Sequence, residues 1–172
     1  MKRIALIFIV TAVLAAGALS AMQWRHFEEE SAPVPPASMA QRMLQAHNAI
    51  RARVGLRSFT WSPELARYAQ EWASRLARED RLYHHPNPVY GENLYLIDGG
   101  RTSPSHVVAS WASESRWFSY KTNSCRGACG HYTQIVWKDS RQIGCASAIS
   151  GKTQVWVCEY NPPGNIVGER PY

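Results

Sequence analysis

The chain has 172 residues, of which 45% are hydrophobic and 19% charged, with a formal net charge of +6. That length points to one domain with at most an appendage, and that balance excludes a wholly disordered chain. The basic excess is compatible with lipid headgroups, nucleic acid or an acidic polymer and selects none of them.

In chain order, Met1-Lys2-Arg3 precedes an apolar run from Ile4 to Leu19 that is broken only by Thr11 and Gly17, the pattern of an export segment. Small residues at Ala16-Gly17-Ala18 and Ala18-Leu19-Ser20 offer cleavage points. Ile4 to Met22 is 19 residues, just enough to span a bilayer, so residues 1–22 read as a signal peptide or an uncleaved signal anchor. Either form exports the remainder of the chain, to the extracellular space or a periplasm, free or tethered by residues 4–22. Residues 23–37 carry Glu28, Glu29 and Glu30 and then Pro33, Pro35 and Pro36, and read as an extended Glu/Pro-rich linker. The folded domain is expected over residues 38–172.

Ser38-Met39-Ala40-Gln41 fits a capping box, and Met43, His47, Ile50 and Val54 then form a helical stripe closed by Gly55. Ser62-Pro63 starts a second helix carrying Leu65, Ala69, Trp72 and Leu76. Ser103-Pro104 repeats that signal for a third, with Val107, Trp111 and Phe118 in register. Glu114 falls on the same stripe. Either it faces inward with a partner, or the helix ends or turns near Ser113 and leaves it at the surface. After residue 130 the period becomes two, and His131–Trp137, Ile143–Ile149 and Thr153–Tyr160 read as strands. Gly151-Lys152 is a two-residue hairpin turn. Counting outward from it pairs Ser150 with Thr153 and Cys145 with Cys158, a non-hydrogen-bonded pair where a cross-strand disulfide fits. Cys125 and Cys129 then remain for each other. Four cysteines allow three connectivities, and a one-residue slip would undo this one. In an exported domain, disulfides are favoured over zinc thiolates.

No G-x-S-x-G, H-E-x-x-H, Walker loop, G-x-G-x-x-G or specific nucleic-acid motif is present. What remains is His84-His85, Glu92, Glu114 and His131, the last expected to open a strand. Two imidazoles and two carboxylates suit zinc plus a water, or an acid/base set; the plainer reading is a polar network tying loops to helices.

The run from Gly130 to Ser140 (GHYTQIVWKDS) resembles the first signature of the CAP superfamily of cysteine-rich secretory proteins, venom antigens and plant pathogenesis-related proteins. Val155–Ile166 (VWVCEYNPPGNI) resembles the second, and His47-Asn48-Ala49-Ile50-Arg51 and Tyr90-Gly91-Glu92-Asn93-Leu94-Tyr95 are similar to two further motifs. The likeness runs to the chain end and is nearest to the plant pathogenesis-related branch and its bacterial relatives. It implies an α+β fold, an α-β-α sandwich with helices on both faces of a small, mainly antiparallel sheet. It also implies a cleft of two His and two Glu that binds divalent metal in some members. Matched motif by motif, these are His84, Glu92, Glu114 and His131, with His85 as competitor for His84. Two departures stand out: Glu159 replaces an Asn or other non-acidic polar residue, and four cysteines stand where plant relatives often have six. His47 and Asn48 read as structural. The resemblance implies an exported binding module for a lipid, sterol or peptide, with a defence or envelope role and zinc as the candidate cofactor. The alternative is a zinc-dependent hydrolase with Glu92 or Glu114 as base. A serine peptidase lacks a triad context, and a structural module docked on an anionic envelope through its basic face is a third reading.

Overall fold

The computed structural model describes residues 37–172; the export segment and most of the linker read from the sequence lie outside them. Helix α1 (Met39–Arg53) opens on the expected capping box: Gln41 N–H donates to Ser38 Oγ at 3.2 Å and Ser38 N–H to Gln41 Oε1 at 2.7 Å. Helix α2 (Pro63–Glu79) starts at the Ser62 cap, and Leu65, Ala69, Trp72, Ala73 and Leu76 are buried along one stripe. Strand β1 (Thr60–Trp61) lies between them.

Strand β2 (Gly91–Ile97) follows the loop that carries His84 and His85. Helix α3 (Pro104–Ala112) is shorter than the Trp111–Phe118 spacing implied: it tightens into a 3₁₀ turn over Ser113–Trp117, and Phe118 opens β3 (Phe118–Ser119), which pairs with β4 (Ser124–Cys125). Strands β5 (Gln142–Ser150) and β6 (Thr153–Asn161) form the hairpin in the expected register, Ser150 opposite Thr153 and Cys145 opposite Cys158. Gly151 takes φ +56° at its turn, a value that glycine accepts without strain.

The clearest correction concerns the stretch after residue 130. Gly130–Ile135 is a helix, α4, not a strand, so His131 sits in a helical first turn. Strand propensity lost to surroundings here. Tyr132, Thr133, Gln134 and Ile135 are all buried, so no face alternates with solvent, and a short apolar run enclosed on all sides can be either element. The first turn is held by the Glu114 carboxylate from another element, which no local pattern encodes.

The main sheet has the order β1-β5-β6-β2, antiparallel except where β1 runs parallel to β5. Alternation along the strands feeds two layers. Leu94, Ala146, Val155 and Val157 pack on α2, while Ile143, Cys145, Trp156, Cys158 and Tyr160 join Met43 of α1, Val107 and Trp111 of α3 and Ile135 of α4. This is the α-β-α sandwich that the resemblance implies. Disulfides link Cys145 to Cys158 and Cys125 to Cys129. Among the described residues no helix is long and apolar enough to cross a membrane.

Candidate functional site

Strand β2 is an edge strand, and the loop before it, the 3₁₀ turn after α3 and the start of α4 meet at that edge. Together they deliver all four residues singled out from the sequence to one pocket of about 210 Å³, lined by His84, Glu92, Glu114 and His131 with Asn93 and Gly130. His84, not His85, is the one that reaches it. His85 turns the other way, its ring 4.7 Å from that of Trp72 and 5.3 Å from that of Tyr68.

Within the pocket the four side chains form two pairs. His84 Nδ1 lies 2.6 Å from Glu92 Oε1, and the same oxygen accepts the His85 backbone N–H at 3.1 Å. His131 Nδ1 lies 2.7 Å from Glu114 Oε1, and Glu114 Oε2 accepts the His131 N–H at 2.9 Å. The Tyr132 N–H reaches that oxygen too, at 3.4 Å. Glu114 therefore supplies the cap that α4 lacks from its own residues. Both sequence alternatives hold a part of the truth: the helix does end near Ser113, yet the carboxylate turns inward, its side chain 15% exposed.

A carboxylate only accepts, so each imidazole donates from Nδ1, and in the neutral ring Nε2 is left as the acceptor. No hydrogen bond among the described residues uses either Nε2. Carboxylate-backed imidazoles of this kind are good metal donors, because the bond behind the ring fixes its tautomer and raises its basicity. The donors fit a divalent ion in kind. They do not form a ready cluster, since among the described residues no three His, Cys, Asp or Glu side chains are grouped closely enough to hold one ion.

Two further features shape the site. Glu159, a departure from the family pattern, faces Glu92 directly across the β2–β6 ladder. It is 2% exposed, and burial pushes its carboxyl up to about 9, with the Glu92 charge and a hydrogen bond between the two adding to the rise. Among the described residues Glu92 Oε2 and Glu159 Oε1 are both buried with no other hydrogen-bond partner, so the bond between the two carboxyls requires a proton, which the raised Glu159 supplies. The sequence singled out both Glu159 and Glu92 but not their pairing, because β2 had not been read as a strand. The other feature is a polar chain through the core. Asn93 Nδ2 donates to the His131 carbonyl at 3.1 Å and to the Tyr160 hydroxyl at 3.0 Å. Tyr160 in turn donates to His47 Nε2 at 2.9 Å, because Nδ1 of that ring donates to the Met43 carbonyl at 2.8 Å. The backbone of His131 is thus tied through β2 and β6 to α1.

Ala128, Gly130 and Asn165 form a wall common to this pocket and to a groove of about 490 Å³ that Phe118, Trp137, Ile166 and Pro171 also line. Asn165 holds the far side in place, accepting from Thr133 Oγ1 at 2.6 Å and donating to the Gly130 carbonyl at 2.9 Å. Gly130, Thr133, Trp137, Asn165 and Ile166 lie within the two signature runs, but no chemical pattern in the sequence marked them as lining a groove.

Comparison with known proteins places this geometry. A family model described as "CAP: Cysteine-rich secretory protein family" matches residues 44–160. The chain is 40% identical over 139 residues to pathogenesis-related protein PR-1 of Medicago truncatula, covering 78% of this chain and 80% of that one. It is 38% identical over 141 residues to pathogenesis-related protein 1 of Arabidopsis thaliana, covering 81% and 86%. Among solved structures it is similar to Schistosoma mansoni venom allergen-like protein 4, with a TM-score of 0.63 and 23% identity over 79% of this chain and 94% of that one. A structure of NaASP2 with Zn2+ has a TM-score of 0.60 and 22% identity, covering 79% and 86%. At these identities the structural likeness is one of fold.

Proposed function

The chain belongs to the CAP family of cysteine-rich secretory proteins, and from that membership we propose that it is an exported binding module with a defence or envelope role. Its groove takes an apolar ligand of the lipid or sterol class, and the adjoining His/Glu pocket accepts a divalent cation such as zinc. The observation that carries this reading is the wall common to the two spaces: the pocket with both His–Glu pairs opens beside a groove of ligand size. His84 and His131 are the residues that would hold the ion, through Nε2, with Glu92 and Glu114 behind them as orienting carboxylates and water completing the shell. A bound divalent ion would supply Lewis acidity, polarising a ligand oxygen or acidifying a water. Export rests on the apolar run at residues 4–19 and on two disulfides, which persist in oxidising compartments.

The test uses residues 38–172, which hold the described core clusters and both disulfides. Calorimetric titration with zinc is expected to show saturable binding that falls by roughly tenfold or more in His84→Ala and in His131→Ala, at least the scale on which loss of a ligand's supporting partner acts. Equal affinity in wild type and both variants, or none in any, removes the metal from the proposal. Solvent extraction and mass spectrometry of the same sample, with sterol-binding assays, read the groove. Absence of any lipid there, together with capture of a peptide from a random library, turns the reading to a peptide module. Cleavage of that library, lost in the same variants, would establish the hydrolase instead.

A further inference from the structure

Four large apolar side chains stand out of the surface on one face: Trp117 at 40% exposure, Tyr120 and Ile166 at 47% each, and Val167 at 99%. They come from two loops that are tied together. Asn123 Nδ2 donates to the Glu169 carbonyl at 3.0 Å, and the Arg170 guanidinium sits 5.1 Å above the Tyr120 ring and donates to the Tyr120 carbonyl. Behind them Tyr120 stacks on Tyr172 with centroids 4.8 Å apart, and Gly127 lies against the Trp117 ring. The aromatics are therefore rigidly backed, while the Ile166-Val167 tip projects from a turn whose flanking Asn165 and Gly168 both have positive φ. Exposed cations join these loops: the Arg116 guanidinium lies 5.2 Å from the Trp117 ring, the Arg126 N–H donates to the Trp117 carbonyl, Arg170 donates to the Lys121 carbonyl, and Lys138 donates to the Arg170 carbonyl, with Glu169 and Asp139 as exposed carboxylates on the same segments. Asp139 lies 4.0 Å from Arg141.

We propose that this face is a docking surface for an anionic lipid bilayer, with Ile166 and Val167 inserted among the acyl chains and Trp117 and Tyr120 at headgroup depth. A solvated aliphatic side chain gains from leaving water, amphipathic rings are at home at the interface, and cations beside them meet acidic headgroups. Exposure rises from 40% and 47% at the two rings to 99% at Val167, so the aliphatic tip is the part of this face most open to solvent. A soluble polyanion would use the cations and leave the tip in water. This inference goes beyond the groove and its ligand; Ile166 lines the groove as well, whereas Val167 does not, so the test rests on Val167.

Residues 38–172, which lack the apolar export segment, are mixed with vesicles of phosphatidylcholine alone or with phosphatidylserine added. Binding is read by sedimentation and by quenching of tryptophan with brominated acyl chains. Acidic vesicles are expected to bind roughly tenfold or more tightly than neutral ones, with the preference shrinking as salt is raised. Val167→Glu, at a site with no packing to lose, is expected to weaken binding by a similar factor, as is Lys121→Glu with Arg126→Glu. Trp117→Phe is expected to keep binding and to lose most of the quenching. Indifference to phosphatidylserine overturns the proposal. So does binding that charge reversal abolishes and Val167→Glu leaves intact, which shows electrostatic adsorption without insertion of the tip. Sterol uptake from neutral vesicles reads the groove separately, so either idea fails without the other.

Discussion

His47 and Arg51, one helical turn apart on α1, show how much of this domain is decided by single buried polar groups. Arg51 is 1% exposed, and among the described residues no carboxylate forms an ion pair with it. Its guanidinium donates to the carbonyls of Arg57, Ile135, Trp137 and Ser140 and lies 3.9 Å above the Phe59 ring. Burial lowers it to about 10, which leaves it charged at neutral pH. A forked cation that closes off loop carbonyls cannot be replaced by lysine, whose ammonium is a point donor. His47 is fully buried, and burial outweighs its bond to Met43 to lower it to about 4. The folded ring is therefore neutral. Above the ordinary value of 6.5 both folded and unfolded chains carry it uncharged, so its contribution to stability is complete there. As pH falls from 6.5 towards 4, the unfolded chain takes up a proton that the fold refuses, and stability is lost. Between pH 7.5 and pH 5 the loss is about 2 kcal/mol from this group alone. Urea unfolding at the two pH values should show that difference shrink in His47→Gln. An unchanged difference would place the titration elsewhere. Glu159 works in the opposite sense, since its raised carboxyl costs stability as pH rises from 4.5 towards 9, which is why the comparison must be made between variants.

At the scale of elements, α2 lies on the sheet only because β5 carries a glycine beneath it. A Cβ on Gly144 would sit 2.5 Å from the Leu65 carbonyl carbon and 2.6 Å from its Cβ, and would also meet the Ala66 backbone nitrogen. Backbone cannot yield as a flexible side chain can. Gly144→Ala is expected to lower stability by about 1–3 kcal/mol, the cost of overpacking, read as a lower thermal midpoint with the helical signal retained. A midpoint equal to wild type would mean that α2 can ride up without cost. Legibility also differs from element to element. Helices α1 and α2 announce themselves through caps and stripes, and the β5–β6 hairpin through its turn and register. Helix α4 and the end of α3 do not, because Glu114 joins them: the 3₁₀ turn that breaks the α3 stripe is what aims the carboxylate at the first N–H groups of α4. A contact between residues 17 apart leaves no mark in a short window.

Over the whole molecule, the +6 charge belongs to the domain. Lys2, Arg3 and Arg25 balance Glu28, Glu29 and Glu30, which leaves 16 basic and 10 acidic side chains in residues 38–172. Glu92, Glu114 and Glu159 are spent inside the site, so the outer surface is more basic than the total. The described hydrophobic clusters and both disulfides lie within residues 38–172. That segment alone is expected to unfold in one cooperative thermal transition, with a midpoint within a few degrees of the full chain's. A broad or multiphasic transition would show that residues 1–37 complete the fold.

The sequence by itself determined the order of helices first and the strand hairpin after, the register that sets Cys145 opposite Cys158, and four candidate residues for one site. These come from local periodicity, caps and turn counting, or from motifs long enough to be specific. Tertiary structure decided the rest: that Gly130–Ile135 coils, that His84 rather than His85 faces the pocket, and that Glu159 meets Glu92. It also decided that the four residues stand as two His–Glu pairs. Each of those outcomes depends on burial and on partners distant along the chain, and neither burial nor a distant partner has a period.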